Sequence, residues 1–163
     1  MYKKFITEVP DFPIEGISFK DISPLLANEE MFGEVIVEMR NLLYTKRIPD
    51  YWIGIDARGF IFASALSILY NKGLVLMRKR GKLPPPTVSA SYALEYGEDS
   101  LEMAPGSGNV IIIDDVLATG GTLRAAQKLC ENAGYKVVDV GVLIDLKFLH
   151  DDDISVKSII TYE

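Results

Sequence analysis

Apolar positions along the chain change spacing several times, and each change predicts an element. Between residues 30 and 45, Met31, Val35, Ile36, Met39, Leu42 and Leu43 recur at helical spacing. Residues 51–56 (YWIGID) read as a strand, followed by a glycine-containing turn and a helix over about 60–70. Residues 74–77 form the next strand. Val110, Ile111, Ile112 and Ile113 are apolar and β-branched without polar alternation, which predicts a strand buried on both faces, as in parallel sheets. A helix over about 122–133 follows, stopped by Gly134, and strands are expected over 136–144 and 156–162. Residues 10–26, broken by prolines and Gly16, read as irregular. Residues 79–109, rich in proline and glycine, read as a long excursion in which 87–94 pairs with 100–103 as a hairpin. Strands alternating with helices predict an α/β fold, a parallel sheet flanked by helices. No internal repeat interrupts it, and residues 1–163 read as a single domain.

Composition narrows what this fold could do. A chain of 163 residues can bury a sizeable core. Its net charge of −6 argues against general nucleic-acid binding, which needs a basic surface, but leaves room for a local basic pocket. No stretch is long enough to span a membrane, and residues 1–5 lack the apolar region of a secretory leader. Cys130 is the sole cysteine, so no intrachain disulfide can form and a reducing cytoplasm is expected. One cysteine and one histidine exclude an ordinary zinc site. Cys130 reads as core. His150, followed by three aspartates, reads as a surface residue.

The chemistry concentrates after the strand at 110–113. Asp114 and Asp115 come first, then Val116 and Leu117, then the small-residue run Ala118, Thr119, Gly120, Gly121, Thr122 at the start of a helix. Ligands of open α/β sheets bind beyond the carboxyl ends of the strands. Small residues let backbone N–H groups close round a phosphate at a helix N-terminus. Two acids beside such a cradle fit a sugar phosphate, the carboxylates accepting hydrogen bonds from ribose hydroxyls. Neither the Gly-Lys-Ser/Thr of a P-loop nor Gly-x-Gly-x-x-Gly is present.

Three further segments carry candidates. Arg58, in Gly54-Ile55-Asp56-Ala57-Arg58-Gly59-Phe60, stands where a helix begins and suits a phosphate or pyrophosphate through paired hydrogen bonds. Arg78, Lys79, Arg80 and Lys82 form the one dense basic run and lead into Leu83-Pro84-Pro85-Pro86-Thr87, the pattern of a closing lid. Glu95, beside Tyr96 and Gly97, could exchange protons with a substrate base once water is excluded. Glu98, Asp99 and Glu102 lie close by, and composition does not choose among these acids.

The run from Val110 to Thr122 resembles the phosphoribosyl-pyrophosphate (PRPP) motif of type I phosphoribosyltransferases. The segments Pro10-Asp11-Phe12-Pro13…Phe19-Lys20-Asp21-Ile22-Ser23-Pro24-Leu25, Gly54 to Phe62 and Gly81 to Gly97 narrow the resemblance to the adenine-specific branch of that family. The resemblance spans nearly the whole chain. It implies a parallel sheet flanked by helices, a small N-terminal hood over residues 8–26 and a flexible hairpin lid over 79–103. It implies conversion of adenine and PRPP to AMP and pyrophosphate with Mg²⁺, held mainly by PRPP and water, in a cytoplasmic homodimer without nucleic-acid or membrane partners. Asp114 and Asp115 would hold the ribose hydroxyls, and Ala118, Thr119, Gly120, Gly121 and Thr122 the 5′-phosphate. Arg58, Arg78, Lys79 and Lys82 would meet pyrophosphate, the basic run acting across the dimer. Ser18, Phe19 and Lys20 would read the base from the hood, with Val116 closing its other side. Glu95 would handle the proton, with Tyr96 beside it, and Asp56–Ala57 falls where such enzymes often keep a cis peptide. Two positions depart from the pattern. Lys20 stands where arginine is frequent, and Pro85, which stiffens the lid, where glycine is frequent. A 6-oxopurine transferase and a non-catalytic PRPP sensor are the alternatives; the sensor would need a DNA-binding domain for which this length leaves no room.

Overall fold

The computed structural model describes residues 1–43, 48–94, 97–151 and 153–163. Residues 1–38 form one compact unit and residues 39–163 a second.

In the first unit, β1 (Thr7–Val9) pairs antiparallel with β2 (Phe19–Asp21), Glu8 opposite Lys20. Residues 10–26 are therefore less irregular than their prolines suggest. Phe19–Asp21 finds a strand partner outside the segment, and α1 (Ser23–Leu26) starts with Pro24 in its first turn, where a missing N–H costs nothing. Asp21 Oδ1 accepts from Ser23 N at 2.9 Å. The helix α2 (Glu29–Leu43) starts here; Asn28 Oδ1 caps it by accepting from Met31 N at 3.0 Å, and Glu29 and Glu30 suit its positive end.

Among the described residues the second unit is built on a seven-stranded sheet. Its strands are β3 (Tyr51–Ile55), β4 (Gly73–Lys79), β5 (Val88–Leu94), β6 (Gly97–Met103), β7 (Gly108–Leu117), β8 (Tyr135–Leu146) and β9 (Lys157–Tyr162), in the order β5-β6-β4-β3-β7-β8-β9. From β4 to β9 all neighbours are parallel; β6 runs antiparallel to both β4 and β5. The crossovers β3 to β4 and β7 to β8 use α3 (Gly59–Tyr70) and α4 (Gly121–Ala133), the latter ended by Gly134 as its sequence predicts. Leu123, Ala126, Leu129, Cys130 and Ala133 of α4 share a core with Ile53, Ile55, Ile112 and Val142 from one sheet face. On the other face Gly54 lies against Phe60 and Ala63 of α3, and Gly141 against Leu43 of α2.

Two features differ from the sequence expectation. The hairpin at 88–103 continues the central sheet: Arg78 pairs with Glu102 and Lys79 with Leu101, and Leu101 and Met103 are fully buried in the core. The strand β7 continues through the acid pair to Leu117, because Val116 and Leu117 pair in register with Ile144 and Asp145 of β8. The acids thus sit on a strand rather than in the loop after it. Among the described residues no helix is long and apolar enough to cross a membrane.

Candidate active site

Three chain segments meet at the carboxyl ends of β3, β4 and β7. The turn after β3 carries Asp56, Ala57 and Arg58, and its Asp56–Ala57 peptide is cis. Asp56 N donates to Met77 O at 2.9 Å, tying the turn to β4. Asp56 Oδ2 accepts from Arg78 Nε at 3.2 Å, so the acid of one turn orients the first cation of the basic run. Gly59 opens α3 directly against β7: a Cβ there would stand 2.6 Å from Ile113 O and 3.1 Å from Asp114 Oδ1. Only glycine lets the helix start close enough to bring Arg58 onto the acid pair.

That pair is the electrostatic centre. Arg58 Nε lies 2.8 Å from Asp115 Oδ2, within ion-pair range. The contact is not aligned as a hydrogen bond, and among the described residues this buried oxygen accepts none. Asp115 N donates to Asp114 Oδ1 at 2.9 Å. Burial, then the charge of Asp115, pushes the Asp114 carboxyl well above the usual carboxylate range. Burial also raises Asp115, against the opposing pull of Arg58. Two crowded carboxylates with an oxygen lacking a donor are costly unless a ligand brings hydroxyls to them.

From Asp115 the chain runs through Val116 and Leu117 into Ala118, Thr119 and Gly120, then into α4 at Gly121 and Thr122. Gly120 has φ +84°, a left-handed conformation that turns the chain sharply. The hairpin reaches this loop: the Tyr92 hydroxyl donates to Asp99 Oδ2 at 3.3 Å and hydrogen-bonds Thr122. Ala93 O lies 3.6 Å from where a Cβ of Gly121 would be.

The structure thus brings Arg58, Asp114, Asp115 and the 118–122 loop together, with Arg78 linked through Asp56. The basic run divides. Arg78 Nη1 also donates to Lys82 O at 3.3 Å. Lys79 Nζ is 2.8 Å from Asp99 Oδ2, pointing its charge at the hairpin, and Lys82 is exposed. Glu102, one of the acids composition could not rank, is buried and accepts from Lys82 N at 2.8 Å and Leu83 N at 2.7 Å. It shapes the turn rather than facing solvent. Within the first unit, Phe19 packs edge-on to Phe12 at 5.2 Å, and Lys20 Nζ meets Glu8 Oε2 at 2.9 Å and Ser18 Oγ at 3.3 Å. Glu95 and Tyr96 lie outside the described residues.

His150 departs from its expected place on the surface. Its side chain is 1% exposed, and Nε2 lies 2.7 Å from Oδ1 of Asp145, itself 3% exposed. Asp145 is buried at the end of β8 and needs a donor; the histidine five residues on supplies it. Sequence reasoning placed Asp56 in an expected cis peptide, which the structure has, but missed its ion pair with Arg78, and it missed Arg124. Nothing in the local pattern tied Asp56 to Arg78, 22 residues on, and Arg124 carried no signal beyond lying in the first turn after the loop.

Residues 22–160 match the model of the phosphoribosyl transferase domain. The chain is 50% identical to an adenine phosphoribosyltransferase of Bdellovibrio bacteriovorus over 98% of each protein. It superposes on the crystal structure of adenine phosphoribosyltransferase from Thermoanaerobacter pseudethanolicus with a TM-score of 0.90, at 41% identity, covering 98% of this chain and 97% of that one. A third relative, the Giardia lamblia enzyme complexed with 9-deazaadenine, aligns with a TM-score of 0.89 at 32% identity over 99% and 96%. With an acid pair near the end of a parallel strand, a small-residue loop after it and this likeness over nearly its full length, the chain belongs to the phosphoribosyl transferase family, on its adenine phosphoribosyltransferase branch.

Proposed function

We propose that this protein transfers the 5-phosphoribosyl group of PRPP to adenine, giving AMP and pyrophosphate in purine salvage. The observation that carries the reading is the acid pair beside Arg58, Asp115 buried and Asp114 half-buried, continuous with the 118–122 loop at the N-terminus of α4. Asp114 and Asp115 accept hydrogen bonds from the ribose hydroxyls, and Asp115 Oδ2 gains the donor it otherwise lacks. The backbone N–H groups of Ala118, Thr119, Gly120, Gly121 and Thr122, together with the Thr119 and Thr122 hydroxyls, hold the 5′-phosphate. Breaking the C1′–pyrophosphate bond leaves positive charge on the ribose and added negative charge on pyrophosphate. Arg58 faces that negative charge, with Arg78 steered by Asp56, and Lys79 and Lys82 reach the pyrophosphate of a second copy across the proposed dimer. Ser18, Phe19 and Lys20 read the base, Val116 contributes to its pocket, and Glu95, with Tyr96 beside it, exchanges the proton of the base.

The donors around the acid pair are carboxylate and carbonyl oxygens, which suit Mg²⁺, a hard cation that keeps substrate and water oxygens. Asp114 and Asp115 would steady it through those shared ligands, and it would supply charge neutralisation at the pyrophosphate. A homodimer is part of the reading. Ile68 is 81% exposed on α3, with Leu69 beside it and Leu76 exposed on β4, next to the basic run, and a second copy would cover them. A reducing cytoplasm suits Cys130, whose burial pushes its thiol up to about 12 and leaves it inert.

Pyrophosphate release from PRPP with adenine, and separately with hypoxanthine, tests the function. Turnover with adenine alone is expected; preference for hypoxanthine would make the protein a 6-oxopurine transferase, and release with neither would leave a PRPP-binding protein. Glu95→Gln should lower kcat by ~10²–10⁴ with little change in KM. A near-normal single-turnover rate would remove Glu95 from the chemistry.

A further inference from the structure

Behind the 118–122 loop lies a group of contacts that the reaction as described does not use. Arg124, in the first turn of α4, holds the loop twice: its backbone N donates to Gly120 O at 3.0 Å, and Nη1 donates to Thr119 O at 3.1 Å. The other edge of its guanidinium is taken by Asp153, with Nη2 at 2.7 Å from Oδ1 and Nε at 3.1 Å from Oδ2. Ile154, next in the chain, is buried, and its Cδ1 fills the place where a Cβ of Gly120 would be.

From this geometry we propose that Arg124 is a positioning residue for the phosphate loop, locked in place by Asp153. The inference rests on reading residues 118–122 as the 5′-phosphate site. The Thr119–Gly120 peptide is trans, so its C=O and N–H point in opposite directions. Holding Thr119 O on the Arg124 side aims Gly120 N–H away from Arg124. Glycine at position 120 makes that peptide easy to flip, since it tolerates either sign of φ. A flipped peptide would present a carbonyl where the phosphate needs a donor. The Arg124 fork removes that freedom, and Asp153 removes the freedom of the fork. Because Asp153 neutralises Arg124, the pair acts through geometry rather than through charge attraction.

The test uses the purified full chain, with calorimetric titration of AMP and of adenosine, and steady-state kinetics in PRPP. Arg124→Ala should weaken AMP and raise KM for PRPP by about tenfold, with kcat within about twofold and adenosine affinity unchanged. Asp153→Asn is the sharper variant. It removes a negative charge near the phosphate, so attraction alone would tighten AMP, whereas loss of positioning weakens it. Tighter or unchanged AMP binding in Asp153→Asn, or unchanged AMP binding in Arg124→Ala, overturns the proposal; Asp153→Asn carries the test should Arg124→Ala fail to fold. Thr122→Ala separates the proposal from its premise. If it weakens AMP while both brace variants do not, the brace is wrong and the loop reading stands. If all three bind AMP like the parent chain, the phosphate loop has been misplaced and the brace falls with it.

Discussion

Two acidic sites, each with a buried aspartate, lie on adjacent strands, and they are built in opposite ways. On β7, Asp114 and Asp115 are crowded against each other, and one oxygen has no hydrogen-bond donor although Arg58 stands beside it. On β8, a few residues further along, Asp145 is matched by His150. Both ring nitrogens of His150 face acceptors, Asp145 Oδ1 at 2.7 Å and Asp151 O at 2.8 Å, which favours the doubly protonated ring. The hydrogen bond to the Asp151 carbonyl, then that to Asp145, raises its pKa. The β8 pair is complete in the chain itself, whereas the β7 pair leaves Asp115 Oδ2 without a hydrogen-bond donor among the described residues, a place the proposed ribose hydroxyls would fill. Burial of a charge is common to both; what separates a working site from a structural one is whether the fold already supplies the partner.

The largest effect expected from this contrast is on binding. Asp114→Asn with Asp115→Asn removes two acceptors for the ribose, each worth roughly 1.5–3 kcal/mol as a charge-assisted bond, so AMP titration should show near-complete loss of affinity. The same double variant should melt higher than the parent at neutral pH, because it relieves buried charge. A lower melting temperature with retained AMP affinity would reverse the comparison.

His150→Ala should do the reverse. Leaving Asp145 buried without its partner costs roughly 3–5 kcal/mol, read as a lower midpoint in urea, while KM and kcat of the folded protein stay near those of the parent. If stability is unchanged and turnover collapses, the β8 pair belongs to the active site after all.

Acidity separates the two pairs more gently. The carboxyls of Asp114 and Asp115 are raised in the folded chain, so folding favours their protonated forms, and stability falls as pH rises from the ordinary value of 3.8 through the raised values. The double asparagine variant should lose that slope and match the parent below this window. His150 is also raised, so its contribution is complete below the ordinary 6.5 and fades as pH climbs through the folded value. Melting curves of His150→Gln should differ from the parent in acid and converge above that range. Parallel curves at every pH would show that His150 stays neutral.

The smallest effect is expected where an ion pair meets solvent. Lys79, 57% exposed, pairs with Asp99, and Asp99→Asn should change stability by only about 0.2–1 kcal/mol. A larger loss would mean that the Asp99–Tyr92–Thr122 connection carries more than surface charge.

What could be read from the sequence was local. The strand at 110–113, the acids directly after it, the small-residue loop and the helix ended by Gly134 are contiguous, and spacing alone indicates them. Arg58 followed from a strand–turn–helix pattern within a few residues. The tertiary structure decided which charges meet. Lys79 and Asp99 are 20 residues apart, Arg78 and Asp56 are 22, and Arg124 and Asp153 are 29. No periodicity links them, because contacts between separate elements depend on connection lengths and strand register. His150 shows the limit most plainly. A histidine followed by aspartates has the composition of a solvated loop, and only the register that ends β8 at a buried carboxylate draws it inside.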